Sequence, residues 1–380
     1  MRHLLVAGVT TRALAVSAAR AGWRVTAVDA FGDLDLGAAA TVMSAAEIGG
    51  TRFSPAAAAR AARGVTADAV AYTSNFENHP EAVALLARGR QLLGNTPDVL
   101  EQIRNPLTLM RALRRRGFAV PDTRASAPPF LSSKRWLSKP RRSGGGHGTS
   151  PWRGEPIRRS AYLQARIRGT PGSISFLADG RRAIPIGVSL QLVGEAAFGA
   201  RGFRYCGSLL AGTEAPLFRR AGEVAATAAA MAAAVTEEFG LVGLNGLDFI
   251  ARDGVPLPIE VNPRYSASME LVERALPRVS LFRLHQRACG GALPADTAAP
   301  RHVAGKAVVF ARRTVTIGDT SRWAAEGIAD IPRAGERIGR GHPICTVFAE
   351  GRDARECHER LVMKAGRVYR TVAPPARGAA

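Results

Sequence analysis

Lysine is almost missing from this 380-residue chain: only Lys134, Lys139, Lys306 and Lys364 occur, against 48 arginines. The formal net charge is +21. The arginines are scattered, however, and no lysine-rich tail or long basic block stands out. The charge therefore reads as compositional bias, and a nucleic-acid partner is not expected. Cysteine is scarce too. Cys206, Cys289, Cys345 and Cys357 form no C-x-x-C pair, which argues against a zinc site and for a reducing compartment. No apolar run reaches the roughly 18 residues of a membrane span; the Ala-rich stretch 221–235 is too short and too weakly apolar. The apolar stretch Leu4–Gly8 is short, and Arg12, Arg20 and Arg24 interrupt the residues after it, so no signal peptide is read there. The expectation is a soluble, cytoplasmic protein with no membrane partner. Internal repeats are absent. Hydrophobic residues make up 46% and charged residues 22%, enough to bury a core in roughly two to three domains.

The chain opens as β-α-β. His3–Ala7 reads as a strand, Thr11–Ala21 as a helix capped by Gly22, and Arg24–Asp29 as a second strand. Ala69–Thr73 is a further strand, ending in the polar loop Ser74–Pro80, and a helix runs from about Glu81 to Arg90. This alternation predicts a parallel, Rossmann-like sheet over residues 1–98, with ligand-facing loops beyond the strands' carboxyl ends. It is not a dinucleotide site. Asp29 is spaced as a ribose-binding acid would be, but Thr10 and Ala13 stand where the second and third glycines of G-x-G-x-x-G belong. Residues 99–120 read as one basic helix, followed by the Pro/Ser-rich loop Ala125–Ser133. Strands are expected at 162–167, 173–177 and 183–192, and a long Ala-rich helix at about 217–239. The tail, 301–380, reads as a small β-rich module with one helix at about 354–364.

The most informative stretch is 241–268. Leu247-Asp248-Phe249-Ile250-Ala251 and Val255–Val261 flank Arg252-Asp253-Gly254, which predicts a hairpin. A register centred on Gly254 sets Asp248 opposite Glu260. Two opposed carboxylates repel, and a divalent cation between them removes the penalty. Asn262, two residues on, shares that face. These are hard oxygen ligands suited to Mg2+, which usually arrives with phosphates. Pro256 and Pro258 point to an edge strand with some irregularity.

Lys139 precedes a proline and is therefore extended. After it come Arg141-Arg142-Ser143 and the run Gly144-Gly145-Gly146-His147-Gly148, whose backbone N–H groups can turn toward an anion. The lysine comes before the glycines, so this is no Walker-type P-loop.

The order of these parts resembles the ATP-grasp superfamily. An extended strand ends in Lys-Pro, a Gly-rich flap follows, then a linker of the Gln164-x-x-Ile167-x-Gly169 type, an Asp on a strand, and Ile259-Glu260-Val261-Asn262-Pro263-Arg264. The likeness covers about residues 100–290, and the βαβ unit before it is similar to that superfamily's N-terminal domain. The resemblance implies an α/β and α+β chain with four parts: a Rossmann-like pre-ATP-grasp domain (1–98), a small lobe with the flap (99–165), a large lobe with the metal hairpin (166–300) and the C-terminal module (301–380). It implies ATP and Mg2+ as cofactors, with Mn2+ as a substitute. Lys139 would contact the α- and β-phosphates, and Ser143–Thr149 would cover the β- and γ-phosphates. Gln164, Arg166 and Ile167 would form the adenine linker, and Asp248, Glu260 and Asn262 would hold Mg2+. Arg264 would stabilise charge on the transferred phosphoryl group. Two departures stand out: Arg166 replaces a common acidic residue, and Arg104-Asn105-Pro106 replaces an Asp-Lys or Asp-Arg pair, leaving Arg104 as the candidate outer-phosphate contact.

The implied reaction is ligation of a carboxylate to an amine through an acyl phosphate, with flap closure excluding water. It needs no side-chain nucleophile, and no Ser-His-Asp or Cys-His set is found. His147 lies in the flap, where a histidine without a proton-transfer role is the simpler reading. Glu77 is placed to hold a substrate ammonium and Arg12 a carboxylate, with Asn78, Tyr265 and Ser266 bordering the same space. The loop layout from Arg12 to Asn78 is similar to that of ATP-grasp proteins of one-carbon cofactor synthesis, such as tyramine–glutamate ligase. Carboxylation of an amine, ligation to a thiol and a non-catalytic Mg-nucleotide sensor remain as alternatives, and a homodimer is one option for assembly.

Overall fold

The computed structural model describes residues 1–45, 53–126 and 136–372. The loop expected at Ala125–Ser133 lies mostly outside the described residues, as does the end of the C-terminal part.

Five short apolar segments form the first sheet: β1 (His3–Ala7), β2 (Arg24–Asp29), β3 (Thr41–Ser44), β4 (Ala69–Tyr72) and β5 (Gln91–Leu92). All pairs are parallel, in the order β3-β2-β1-β4-β5. Every residue of β1 and β4 is buried, as a parallel sheet covered on both faces requires. Helices α1 (Arg12–Arg20), α2 (Leu34–Gly37), α3 (Pro55–Ala61) and α4 (Pro80–Ala87) connect the strands.

The single basic helix expected over 99–120 is two helices, α5 (Pro97–Ile103) and α6 (Pro106–Arg115). Pro106 is the reason. It has no N–H to continue a helix and pushes Asn105 out of helical geometry. Asn105 then caps α6, its side-chain oxygen accepting from Leu107 N at 3.1 Å and Thr108 N at 3.5 Å. The break leaves Arg104 at a corner.

Four strands make the small lobe: β6 (Thr123–Arg124), β7 (Trp136–Pro140), β8 (Ser150–Pro151) and β9 (Ala161–Ala165), in the antiparallel order β6-β9-β7-β8. Trp136, Trp152 and Leu163 form its core. The large lobe begins with β10 (Thr170–Asp179), β11 (Ala183–Val193) and β12 (Tyr205–Leu210). The Ala-rich α7 (Ala221–Phe239) follows and ends at Gly240, whose φ of 68° is the left-handed turn a glycine cap supplies. Val224, Ala228, Met231, Ala232 and Val235 face the sheet from α7, a helical stripe of small and aliphatic side chains.

β13 (Val242–Arg252) and β14 (Val255–Asn262) form the predicted hairpin, with β14 at the sheet edge. After α8 (Met269–Ala275) and α9 (Leu281–Cys289), the chain returns as β15 (Val303–Phe310). The remaining strands are β16 (Val315–Thr316), β17 (Arg337–Ile338) and β18 (Pro343–Gly351), before α10 (Ala354–Thr371). β15 and β18 complete one antiparallel sheet in the order β14-β13-β10-β11-β12-β15-β18. The C-terminal part therefore extends the large-lobe sheet across the expected 300/301 boundary, and α10 runs longer than the helix read from the sequence.

Candidate active site

The three sheets converge on one cavity of about 1150 Å³, and all of the candidate residues named from the sequence line it.

The hairpin sets the acidic side. Its turn is the two-residue Asp253-Gly254, with φ of 54° and 84°, the double left-handed geometry that Asp-Gly favours in hairpins. A two-residue turn alone pairs Phe249 with Pro258, one position away from the predicted register. A bulge at Ile259 then inserts one residue and brings Asp248 opposite Glu260 after all. The predicted pair is thus present by a different route.

Burial, then the neighbouring Glu260 charge, pushes the Asp248 carboxyl up to about 6, despite hydrogen bonds from Ser173, Gln191 and Asn262. A group strained in this way favours a cation. Asn262 Nδ2 donates to Asp248 Oδ2 at 3.0 Å, while its oxygen accepts from Arg264 Nη2 at 3.3 Å. Asn262 therefore braces Asp248, and its oxygen keeps a second lone pair for a cation. Among the described residues, no three His, Cys, Asp or Glu side chains gather as a metal cluster. Two carboxylates and one amide suit a cation whose other ligands are phosphate oxygens and water.

On the basic side, β7 and β9 pair Lys139 with Tyr162. Lys139 Nζ donates to Gln164 Oε1 at 3.0 Å. Gln164 is buried and braces the lysine, while Arg166 and Ile167 form the link into β10. The flap packs down on the start of β12: Tyr205 N donates to Gly145 O at 3.0 Å. Gly146 has φ of 76°, and a Cβ there would lie 1.8 Å from Phe203 O, so only glycine permits this approach. Ser143 Oγ donates to His147 O at 2.5 Å. His147 is held below its ordinary pKa by burial and by Arg204.

The substrate candidates Arg12, Glu77, Asn78, Tyr265 and Ser266 line the cavity, and several of them are engaged by other side chains. Glu77 is 1% exposed and accepts from Arg264 Nη2 at 2.7 Å. Burial alone would raise its carboxyl, but Arg264 and Arg104 pull it below the ordinary range. Its Oε1 is engaged by Arg264, while Oε2 has no hydrogen-bond partner among the described residues.

Arg12 is 5% exposed, donating from Nη1 and Nη2 to Glu270 at 2.6 and 3.0 Å and from Nε to Asp330 at 2.6 Å. It is engaged with protein carboxylates, in place of a substrate carboxylate. The Tyr265 ring is buried, and its hydroxyl has no partner among the described residues. Ser266 Oγ lies 3.4 Å from Ser268 Oγ. Asp29, the rejected ribose ligand, accepts from Thr11 N and Oγ1 at 2.7 and 2.8 Å and from Phe31 and Gly32 N; it organises its own turn.

Beyond the hairpin lies a group of lining residues that sequence reading passed over: Asp33, Glu270, Lys306 and Asp330. Lys306 Nζ donates to Glu270 Oε2 at 2.6 Å. Arg12 and Lys306 outweigh burial and hold Glu270 well below the carboxylate range. Burial, then Asp330, Asp29 and Asp35, pushes Asp33 up to about 9. The rarity of lysine was the one signal that could have marked Lys306.

Residues 103–268 match the family model of the ATP-grasp domain. A 117-residue stretch, 30% of this chain, is 31% identical to an uncharacterised protein of Methanocaldococcus jannaschii, of which it spans 28%. Over 97% of both chains, the fold superposes on L-amino acid ligase from Bacillus licheniformis with a TM-score of 0.67 at 14% identity. It also superposes, over 95% of this chain and 88% of the other, on the biotin carboxylase domain of 2-oxoglutarate carboxylase from Hydrogenobacter thermophilus, solved with MgADP and bicarbonate (TM-score 0.66, 13% identity). At these identities the superpositions speak for the fold. The match to the ATP-grasp domain model is confined to residues 103–268, less than half of the chain.

Proposed function

We propose that the protein is an ATP-dependent ligase that activates a carboxylate as an acyl phosphate and joins it to an amine. The observation that carries this reading is a single cavity facing Lys139 and a glycine flap toward the opposed pair Asp248 and Glu260. Lys139 and the flap amides would grip the phosphates, with Gln164 fixing the lysine. Asp248 and Glu260 would hold Mg2+, which when bound neutralises phosphate charge. Arg264, aimed by Glu77, is a preorganised donor for the oxygens of the group in transfer. The flap, seated on Phe203–Tyr205, keeps water from the acyl phosphate. The far end carries Glu270 and Asp330 paired with Arg12 and Lys306, and beside them Asp33, whose carboxyl is pushed up to about 9, a polar end that suits an incoming amine.

The test is ADP release with Mg-ATP across amino acids, other amines, bicarbonate and thiols, with hydroxylamine added to trap an acyl phosphate. Release that requires a carboxylate and an amine together supports ligation. Release with bicarbonate alone makes the protein a carboxylase. Mg-ATP binding without turnover on any pair makes it a nucleotide sensor.

A further inference from the structure

Arg104, the candidate outer-phosphate contact, has its donors engaged by protein acceptors. It sits at the corner between α5 and α6, and its side chain is buried. A guanidinium has five N–H donors, and here each has a protein acceptor. Nε donates to Asn78 Oδ1 at 3.1 Å, and Nη2 donates to the same oxygen at 2.9 Å. Nη2 also donates to Ser143 O at 2.8 Å. Nη1 donates to Val261 O at 2.8 Å and to Glu260 Oε2 at 3.2 Å. The acceptors belong to the N-terminal domain's loop, the first residue of the flap and the metal-side strand. No donor is left for a phosphate.

We propose that Arg104 is a positioning residue that fastens the flap's leading end to the carboxylate strand, so that the flap closes in fixed register with Glu260. The planar fork makes this possible; a lysine ammonium supplies three donors from one point and cannot span three segments. Asn78 takes part as the residue that sets the plane of the guanidinium. Arg104 occupies one oxygen of Glu260, Oε2, on a residue that lines the cavity. The part of this proposal that concerns nucleotide rests on the ATP reading above; the fastening of the flap does not.

The experiment is amide hydrogen exchange of residues 141–149 in the ligand-free, full-length protein, comparing wild type with Arg104→Gln, Arg104→Lys and Asn78→Ala. Exchange in α7 serves as the check that the fold is intact. Both Arg104 variants are expected to exchange in the flap about tenfold faster than wild type, with α7 unchanged. Asn78→Ala, which keeps every charge at Arg104, is expected to shift in the same direction by a smaller factor. In a parallel titration, Mg-ATP should bind both Arg104 variants about tenfold more weakly.

Flap exchange within twofold of wild type in both Arg104 variants overturns the proposal. So does recovery of Mg-ATP affinity by Arg104→Lys alone, which would assign the residue to phosphate charge. Should Arg104→Gln fail to fold, Asn78→Ala decides by the same exchange ratio. If wild type binds no Mg-ATP, the nucleotide reading falls, while the ligand-free ratio still decides the role of Arg104.

Discussion

Replacing Asp248 by Asn should stabilise the metal-free protein while removing its capacity to bind metal-nucleotide. The Asp248 carboxyl is raised from 3.8 to about 6 by burial and by Glu260. At about 1.36 kcal/mol per unit, that shift makes the ionised form cost about 3 kcal/mol at neutral pH. Cavity water reaches Asp248, because the residue is only half-buried by exposure, so about 1–3 kcal/mol is the range to expect. The folded pKa lies above the unfolded one. Between roughly pH 4 and 6 the folded state therefore holds the extra proton, and stability falls as pH rises through that window and then levels off. Urea unfolding in EDTA should show Asp248→Asn above wild type by that amount at pH 7.5. The difference should shrink toward zero near pH 4, where both side chains are neutral. Mg-dependent ATP binding should weaken at least about tenfold in the variant. A variant no more stable than wild type at pH 7.5, or a gain that does not change with pH, refutes the electrostatic reasoning. Unchanged Mg-ATP affinity refutes the metal assignment.

Lys139→Met should weaken ATP binding by about 10- to 100-fold with little change in unfolding free energy, since the half-buried ammonium gives up one hydrogen bond, to Gln164; calorimetric titration and urea melts separate the two effects. Glu270→Gln removes the shared partner of Arg12 and Lys306 and should destabilise by about 3–5 kcal/mol, measured by urea unfolding at pH 7. The depressed Glu270 and Asp330 carboxyls contribute stability that is present above the ordinary carboxylate range and lost as pH falls through their lower folded values. The loss of wild-type stability below about pH 4 should therefore be shallower in that variant. Gly146→Ala places a Cβ against Phe203 O. It should lift the flap, lowering ATP affinity and raising flap exchange, with α7 exchange unchanged.

Local chemistry was readable in the sequence wherever a residue's role depends on its chain neighbours. The β1–α1–β2 unit, the Asp-Gly hairpin and the glycine flap all stand where patterning put them. The Asp248–Glu260 pairing is instructive because two departures cancel: the turn holds two residues, and the Ile259 bulge restores the offset. The misread helix at 99–120 had its signal in Asn105-Pro106, a cap followed by a residue that cannot continue a helix.

What patterning could not supply is the partnering of charges across the cavity. Arg12 meets Glu270 at a separation of 258 residues, Arg264 meets Glu77 at 187 and Arg104 meets Glu260 at 156. Read singly, each was assigned to a ligand, because an unpaired charge in a cleft calls for one. The fold also pairs them with each other, since a buried charge without a partner costs several kcal/mol. Lys139 differs: its partners among the described residues are neutral, the Gln164 amide and the face of the Tyr162 ring. Its charge is therefore left uncompensated and available to an anionic ligand, whereas Arg12, Arg104 and Arg264 each meet a protein carboxylate.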